Sequence, residues 1–218
     1  MAQGYPITLQ VADRPCLVVG GGRVATRKVG GLLEAGARVR VVAPEATEEL
    51  QRLAAQGAVQ WERHPAGAED LAGAWLVICA ADDAATNESL GRAALAAGVL
   101  VNVVDRPELC NFYVPATVRR GPVSVAVSTD GASPLLARRL REKLEKVLGP
   151  EYGELAELLG RLRKEVQERV PRVGARMQIW ATLDLEPVLA RLRAGQAAEA
   201  EALVRTHLEA AAVTEEDD

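Results

Sequence analysis

Leu17-Val18-Val19-Gly20-Gly21-Gly22-Arg23-Val24-Ala25 is an apolar run that breaks into three glycines and then into a helical pattern. It satisfies G-x-G-x-x-G/A, with strand, turn and helix each where that motif needs them. Gly20 is expected to make the tight turn, Gly22 to let the backbone approach a pyrophosphate, and Ala25 to pack helix closely on strand. The N–H groups that open the helix, around Gly21, Arg23 and Val24, would hold the phosphates. The motif predicts a nicotinamide dinucleotide. The acid that grips the ribose hydroxyls belongs at the end of the second strand, which here reads Val42-Ala43-Pro44-Glu45. Ala43 and Pro44 are expected to border the ribose. Glu45 falls late and reads as a residue of a first helical turn, where its charge suits the dipole. NAD is the expected cofactor, and these residues do not separate it from NADP.

Outward from the turn, short apolar runs alternate with amphipathic stretches. The spacing predicts a strand at 16–19, a helix over 24–35, a strand at 38–42 and a helix over 45–56. A weak strand at 59–61, a strong one at 75–79, a helix over 83–97 and a strand at 99–104 follow. Continuous apolar strands separated by helices signal a parallel sheet covered on both faces. Two β runs at 113–119 and 123–128 then flank Gly121-Pro122, as in an antiparallel hairpin. Ser133-Pro134 opens a helix with a favoured cap and first residue, and Gly149-Pro150 stops it.

Beyond that point only helical periodicity remains. Leu155, Leu158, Leu159, Leu162 and Val166 share one face, with shorter helices around 176–183, 186–194 and 196–212. The acidic tail Thr214-Glu215-Glu216-Asp217-Asp218 is expected to fray. The fold class is therefore α/β: a Rossmann-like parallel-sheet domain over 1–112, a small α/β dimerisation segment over 113–149, and a helical C-terminal domain over 150–218.

A net charge of −4 gives the whole molecule no bias toward nucleic acid, so any anion site must be local. No apolar run approaches the about 20 residues needed to span a bilayer, and the N-terminus has no signal-peptide pattern. Three scattered cysteines, an odd number, argue against a disulfide framework and for a reducing cytoplasm. The two histidines, His64 and His207, have no partner at metal-ligand spacing, and no protein metal site is expected.

In open α/β sheets ligands bind outside the carboxyl ends of the strands. One such end reads Ala80-Ala81-Asp82-Asp83 with Asn87 behind it; Ala81, Asp82 and Asn87 are expected near the cofactor, although both aspartates also fit as helix caps. Another reads Val101-Asn102-Val103-Val104-Asp105. Asp105 either points its carboxylate into the crevice or begins a turn before Arg106-Pro107. A third candidate is the small-residue loop Ser128-Thr129-Asp130-Gly131-Ala132-Ser133, which feeds a helix carrying Arg138, Arg139, Arg141 and Lys143.

Taken together, these blocks resemble the precorrin-2 dehydrogenase/sirohydrochlorin ferrochelatase family, the N-terminal module of sirohaem synthases. Besides the glycine turn and the strand ends, the matching stretches are Phe112-Tyr113-Val114-Pro115-Ala116 and Val127 to Pro134 with Leu136-Ala137-Arg138. The resemblance implies NAD-dependent oxidation of precorrin-2 to sirohydrochlorin, with Asp105 catalytic. It implies a tetrapyrrole held by Asn102, Ser128, Thr129, Gly131, Ser133 and Arg138, and a homodimer built through residues 113–148. In some members ferrous or cobaltous ion is a further substrate. Ala81 stands where the family often has threonine, and Asp130 where it has a small or uncharged residue. Two other readings stay open: a metal chelatase with incidental dinucleotide binding, and a non-catalytic dinucleotide-sensing module.

Overall fold

The computed structural model describes residues 4–213, so the acidic tail lies outside the described residues. Two compact units divide between Val114 and Pro115.

The first unit is built on five parallel strands: β1 (Pro15–Val19), β2 (Arg38–Val42), β3 (Val59–Glu62), β4 (Leu76–Cys79) and β5 (Leu100–Val103). Their spatial order is β3-β2-β1-β4-β5, so the direction of winding reverses between β1 and β4. The connecting helices are α1 (Arg23–Glu34), α2 (Glu48–Ala55) and α3 (Ala84–Ala96). Val18, Val39, Val41 and Ile78 face one layer with Ala25 and Val29 of α1 and Leu50 of α2. Leu17, Val19, Val77 and Val101 face the other, with Leu90 and Ala94 of α3. Burial on both faces is why these strands read as continuous apolar runs.

Among the described residues no sixth strand covers the outer edge of β5. The chain turns at Val104-Asp105, passes through a 3₁₀ turn at Pro107–Leu109, and runs back along β5. Asn111 then supplies the missing hydrogen bonds. Its N–H donates to Val101 C=O (3.1 Å), its Oδ1 accepts from Val101 N–H (2.7 Å) and its Nδ2 donates to Val99 C=O (2.8 Å). An edge satisfied this way offers no template to another strand.

The second unit starts with the antiparallel pair β6 (Ala116–Arg120) and β7 (Val123–Val127). Gly121, at φ +52, opens their two-residue loop. Helices α4 (Pro134–Val147), α5 (Glu151–Arg169), α6 (Val173–Ala181), α7 (Leu185–Arg193) and α8 (Ala197–Val213) follow. Arg120 donates from β6 to the carbonyls of Glu145 and Leu148, claiming acceptors that the end of α4 leaves open. Leu155, Leu158 and Leu162 of α5 close a core with Val188, Leu189 and Leu192 of α7 and Ala200 and Val204 of α8.

Candidate active site

The three glycines at the end of β1 do different jobs. Gly20 has φ +112, and a Cβ there would collide with the carbonyl of Ala80 at the end of β4. A Cβ on Gly21 would run into the carbonyl of Glu45. The protein's own backbone demands glycine at both positions. At Gly22 a Cβ would meet no atom within 4 Å, so the room beside it is available to a ligand lying against the backbone.

Gly22 is also the N-cap of α1, with no side-chain cap and no acid in the first turn. The neighbouring helices are supplied: Thr47 caps α2, followed by Glu48 and Glu49, and Asp83 caps α3. Helix α1 instead begins with the cation Arg23, which its own dipole disfavours. A pyrophosphate at this end would take up the free N–H groups and offset the misplaced charge. The residues therefore fit a dinucleotide.

The β2–α2 loop is stitched to this turn. Thr47 N–H donates to Gly21 C=O (2.9 Å), Thr26 Oγ1 donates to Gly22 C=O (3.0 Å), and the Thr26 and Thr47 hydroxyls lie 2.8 Å apart. Helix α2 starts only at Glu48, three residues later than the sequence pattern predicts, because Thr47 rather than Pro44 caps it. Glu45 is thus an exposed loop residue whose backbone touches Gly21, and the first-turn role expected for it is wrong. Of the two residues expected at the ribose, Pro44 is exposed, while Ala43 is buried and its carbonyl accepts the Trp61 indole N–H (3.0 Å). The cap Thr47 with Glu48-Glu49 behind it was the signal that could have relocated Glu45.

At the end of β4, Asp83 accepts from the N–H groups of Ala85 and Thr86 and from the Thr86 hydroxyl, which holds its carboxyl below the usual range. Asp82 is exposed. Asn87, expected at the cofactor, is buried and spends its amide on Ala81: Oδ1 accepts from Ala81 N–H (3.0 Å) and Nδ2 donates to Ala81 C=O (2.7 Å).

At the end of β5, Asp105 sits in the left-handed region at φ +59. It is exposed, and its carboxylate makes no hydrogen bond or ion pair with a described residue. Around it the turn is pinned. Val103 N–H donates to Cys110 Sγ (3.2 Å), and that thiol lies 3.3 Å from both the Val103 and Arg106 carbonyls. Arg106 pairs with Glu88 of α3 (3.1 Å) and with Glu108 (2.5 Å). Asn102, expected to touch substrate, points into this scaffold: it is buried and its Nδ2 donates to Phe112 C=O (3.1 Å).

In the second unit, Asp130 (φ +49) and Gly131 (φ +80) form a tight turn closed by Ala132 N–H to Thr129 C=O (2.8 Å). The aspartate that departs from the family pattern is thus a residue type that tolerates this conformation. Each hydroxyl of the loop accepts one backbone N–H: Ser128 from Asp130 (3.2 Å), Thr129 from Ser133 (3.1 Å) and Ser133 from Leu136 (3.2 Å). Arg138 is paired with Glu142 (2.9 Å), whereas Arg139 and Lys143 make no ion pair at contact distance with a described residue.

His64 turns out to have acidic neighbours. Its Nε2 lies 3.4 Å from Glu62 and 3.6 Å from Asp70, which the loop after β3 brings back from six residues on. Arg40 already faces the same two oxygens, at 3.0 and 3.5 Å, and occupies the position a cation would need. Cys16 and Cys79 are buried, and burial raises their thiols to about 11 and about 12, far from nucleophilic use.

Three family models match the chain in order. Residues 7–116 match the family described as "Putative NAD(P)-binding", residues 120–146 the sirohaem biosynthesis protein central region, and residues 151–208 the sirohaem synthase dimerisation region. The siroheme synthase of Nitrosococcus oceani is 42% identical over 98% of this chain and 46% of its own length. That of Methylococcus capsulatus is 43% identical over 95% of this chain and 44% of its own. The chain thus spans about half the length of these relatives. Among solved structures, SirC, a precorrin-2 dehydrogenase, superposes with a TM-score of 0.75 at 29% identity, covering 93% of this chain and 100% of that one.

Proposed function

The chain belongs to the precorrin-2 dehydrogenase/sirohydrochlorin ferrochelatase family, the N-terminal module of sirohaem synthases, and from that membership we propose that it oxidises precorrin-2 to sirohydrochlorin with NAD. The observation that carries the reading is the sheet's C-terminal edge, where an uncapped α1 and a partnerless carboxylate at Asp105 share one rim.

When bound, NAD accepts the hydride that leaves the macrocycle. The protein's part is to hold the pyrophosphate on the N–H groups after Gly22 and to take the accompanying proton. Asp105 takes it: the carboxylate is exposed and makes no hydrogen bond or ion pair with a described residue. Glu45, beside Gly21, is the acid we assign to the ribose hydroxyls, a role that favours NAD by repelling a 2′-phosphate. Taken by itself, the loop of the second unit is suited to carboxylate groups. The Thr129 and Ser133 hydroxyls each accept a backbone N–H and so keep their own protons to donate, with Arg139 and Lys143 following on α4. The exposed apolar side chains Leu135, Leu136, Leu140 and Val147 of α4 are the surface we assign to a homodimer. Three free thiols fit work in a reducing compartment.

The test is an absorbance assay of the purified protein. Precorrin-2 with NAD should yield reduced nicotinamide and sirohydrochlorin together; no reaction with either NAD or NADP would overturn the proposal. Ferrous or cobaltous ion added afterwards reports metal insertion. Gly22→Asp, with bulk and charge beside the pyrophosphate, should weaken NAD binding by at least about tenfold. Glu45→Gln should shrink the preference for NAD over NADP, read as the ratio of the two Kd values.

A further inference from the structure

We propose that Asn87 is a positioning residue for the cofactor: it acts through the peptide groups of Ala81, which it holds as one wall of the glycine turn. The inference rests on the dinucleotide reading above and adds a residue that touches no ligand itself.

The β4 end approaches the turn more closely than any side chain would allow. Ala80 N–H donates to Val19 C=O (2.8 Å), the last residue before the glycines, and a Cβ on Gly20 would collide with both the Ala80 carbonyl and the Ala81 nitrogen. The two backbones are in direct contact where the sheet reverses its winding, the place where open α/β sheets take ligands. The orientation of the peptides around Ala81 therefore sets the shape of the cofactor's bed.

Ala81 has only a methyl group with which to fix itself. Asn87 holds it from the first full turn of α3, accepting from its N–H and donating to its C=O. A backbone N–H and C=O admit only one orientation of a facing amide, so the assignment of Oδ1 and Nδ2 follows from the partners. Asn87 is itself 7% exposed, and its own N–H donates to Asp83 C=O (3.2 Å), which ties the side chain to the capped end of α3. A buried amide that satisfies both groups of one residue fixes the two adjoining peptide planes at once.

Asparagine can do this because it carries a donor and an acceptor side by side. A protonated carboxylic acid has the same pair in the same places, whereas a carboxylate has acceptors only and would repel the Ala81 carbonyl. Asn87→Asp therefore converts the clamp into one that closes only when the new carboxyl holds its proton.

The experiment measures NAD affinity by nicotinamide titration, alongside thermal melting, for wild type, Asn87→Ala, Asn87→Asp and Gly22→Asp. Asn87→Ala should weaken NAD binding by about tenfold and raise the KM for NAD, while kcat at saturating NAD stays within about twofold. Asn87→Asp should bind NAD poorly at pH 8 and recover as pH falls toward 5, a step missing from wild type. Asp82, Asp83 and Glu88, the acids on the same loop and helix, are present in both proteins and cancel in that comparison. A folded Asn87→Ala with wild-type affinity overturns the proposal, as does an Asn87→Asp profile parallel to wild type. If Asn87→Ala fails to fold, the pH profile of Asn87→Asp decides alone. Should Gly22→Asp also bind NAD normally, the dinucleotide site itself is wrong, and the failure lies there rather than with Asn87.

Discussion

Strands β4 and β5 run side by side in parallel register, Ile78 opposite Asn102 and Cys79 opposite Val103, and each leads within a few residues to aspartate. Their acids have opposite fates. After β4 a helix follows at once, and Asp83 accepts three hydrogen bonds from its first turn, two from the N–H groups of Ala85 and Thr86 and one from the Thr86 hydroxyl. After β5 comes only the short 3₁₀ turn Pro107–Leu109. The chain doubles back, with Cys110 and Asn111 satisfying the strand edge, and Asp105 is left at the bend with a left-handed backbone and no partner among the described residues. An acid before a helix is consumed by structure; an acid at a bend pinned on both sides stays available. Left-handed backbone costs most L residues about 1–2 kcal/mol, and aspartate and asparagine tolerate it best. Such a position holds a carboxylate in place without engaging it.

The largest effect should come from exchanging the acids for amides at these two ends. Asp105→Asn keeps the backbone preference and the shape but removes the base, so turnover should fall about 10²–10⁴-fold with melting temperature and NAD affinity unchanged. Asp83→Asn keeps a competent cap and should leave turnover within about twofold. Steady-state rates on both variants check the contrast. Equal losses at the two positions, or a loss below tenfold at Asp105, would break it.

A middle-sized effect tests what pins the bend. Asn111→Ala strips the β5 edge of two side-chain hydrogen bonds and leaves the Val101 N–H, in a fully buried residue, without its acceptor. An unsatisfied buried group costs about 1–3 kcal/mol, so chemical denaturation should show a loss of that size. Turnover should also drop, through a looser Asp105, while NAD affinity holds. A variant as stable as wild type would mean that the edge is satisfied in some other way.

Much of this was legible from residue order. The strands announce themselves as apolar runs because both faces of the sheet are buried, and of the stripe Leu155, Leu158, Leu159, Leu162 and Val166 on α5 all are buried except Leu159, which is half-buried. Ser133-Pro134 opens α4 as its residues predict. What was not legible depends on contacts across the fold. Glu45 is released from α2 because its carbonyl must sit against Gly21, from a different strand end. Asn87 and Asn102 look like ligand-binding amides in a polar strand end, yet each is turned onto backbone that only the folded chain brings near. His64 meets Asp70 only because the loop after β3 doubles back, its Gly67 N–H held by the Asp70 carboxylate at 2.8 Å. Composition and spacing report what a residue can do, and the fold decides whether its groups are already taken.

The smallest expected effect concerns what the β4 acid does for stability, and its sign can be worked out. Hydrogen bonds from Thr86 and Ala85 depress the folded pKa of Asp83 below its unfolded value of about 3.9. The ionised cap therefore adds stability that is fully present above that unfolded value and is lost as pH falls through the depressed folded one. Asp83→Asn replaces the carboxylate with a neutral acceptor, so the variant should lose less of its melting temperature between pH 5 and 3 than wild type does. Asp83→Ala removes the cap altogether and should melt roughly 2–4 °C lower at pH 7. Melting curves of wild type, Asp83→Asn and Asp83→Ala across that pH range test the cap independently of catalysis: an acid limb as steep in Asp83→Asn as in wild type would mean that the ionised cap adds nothing to stability.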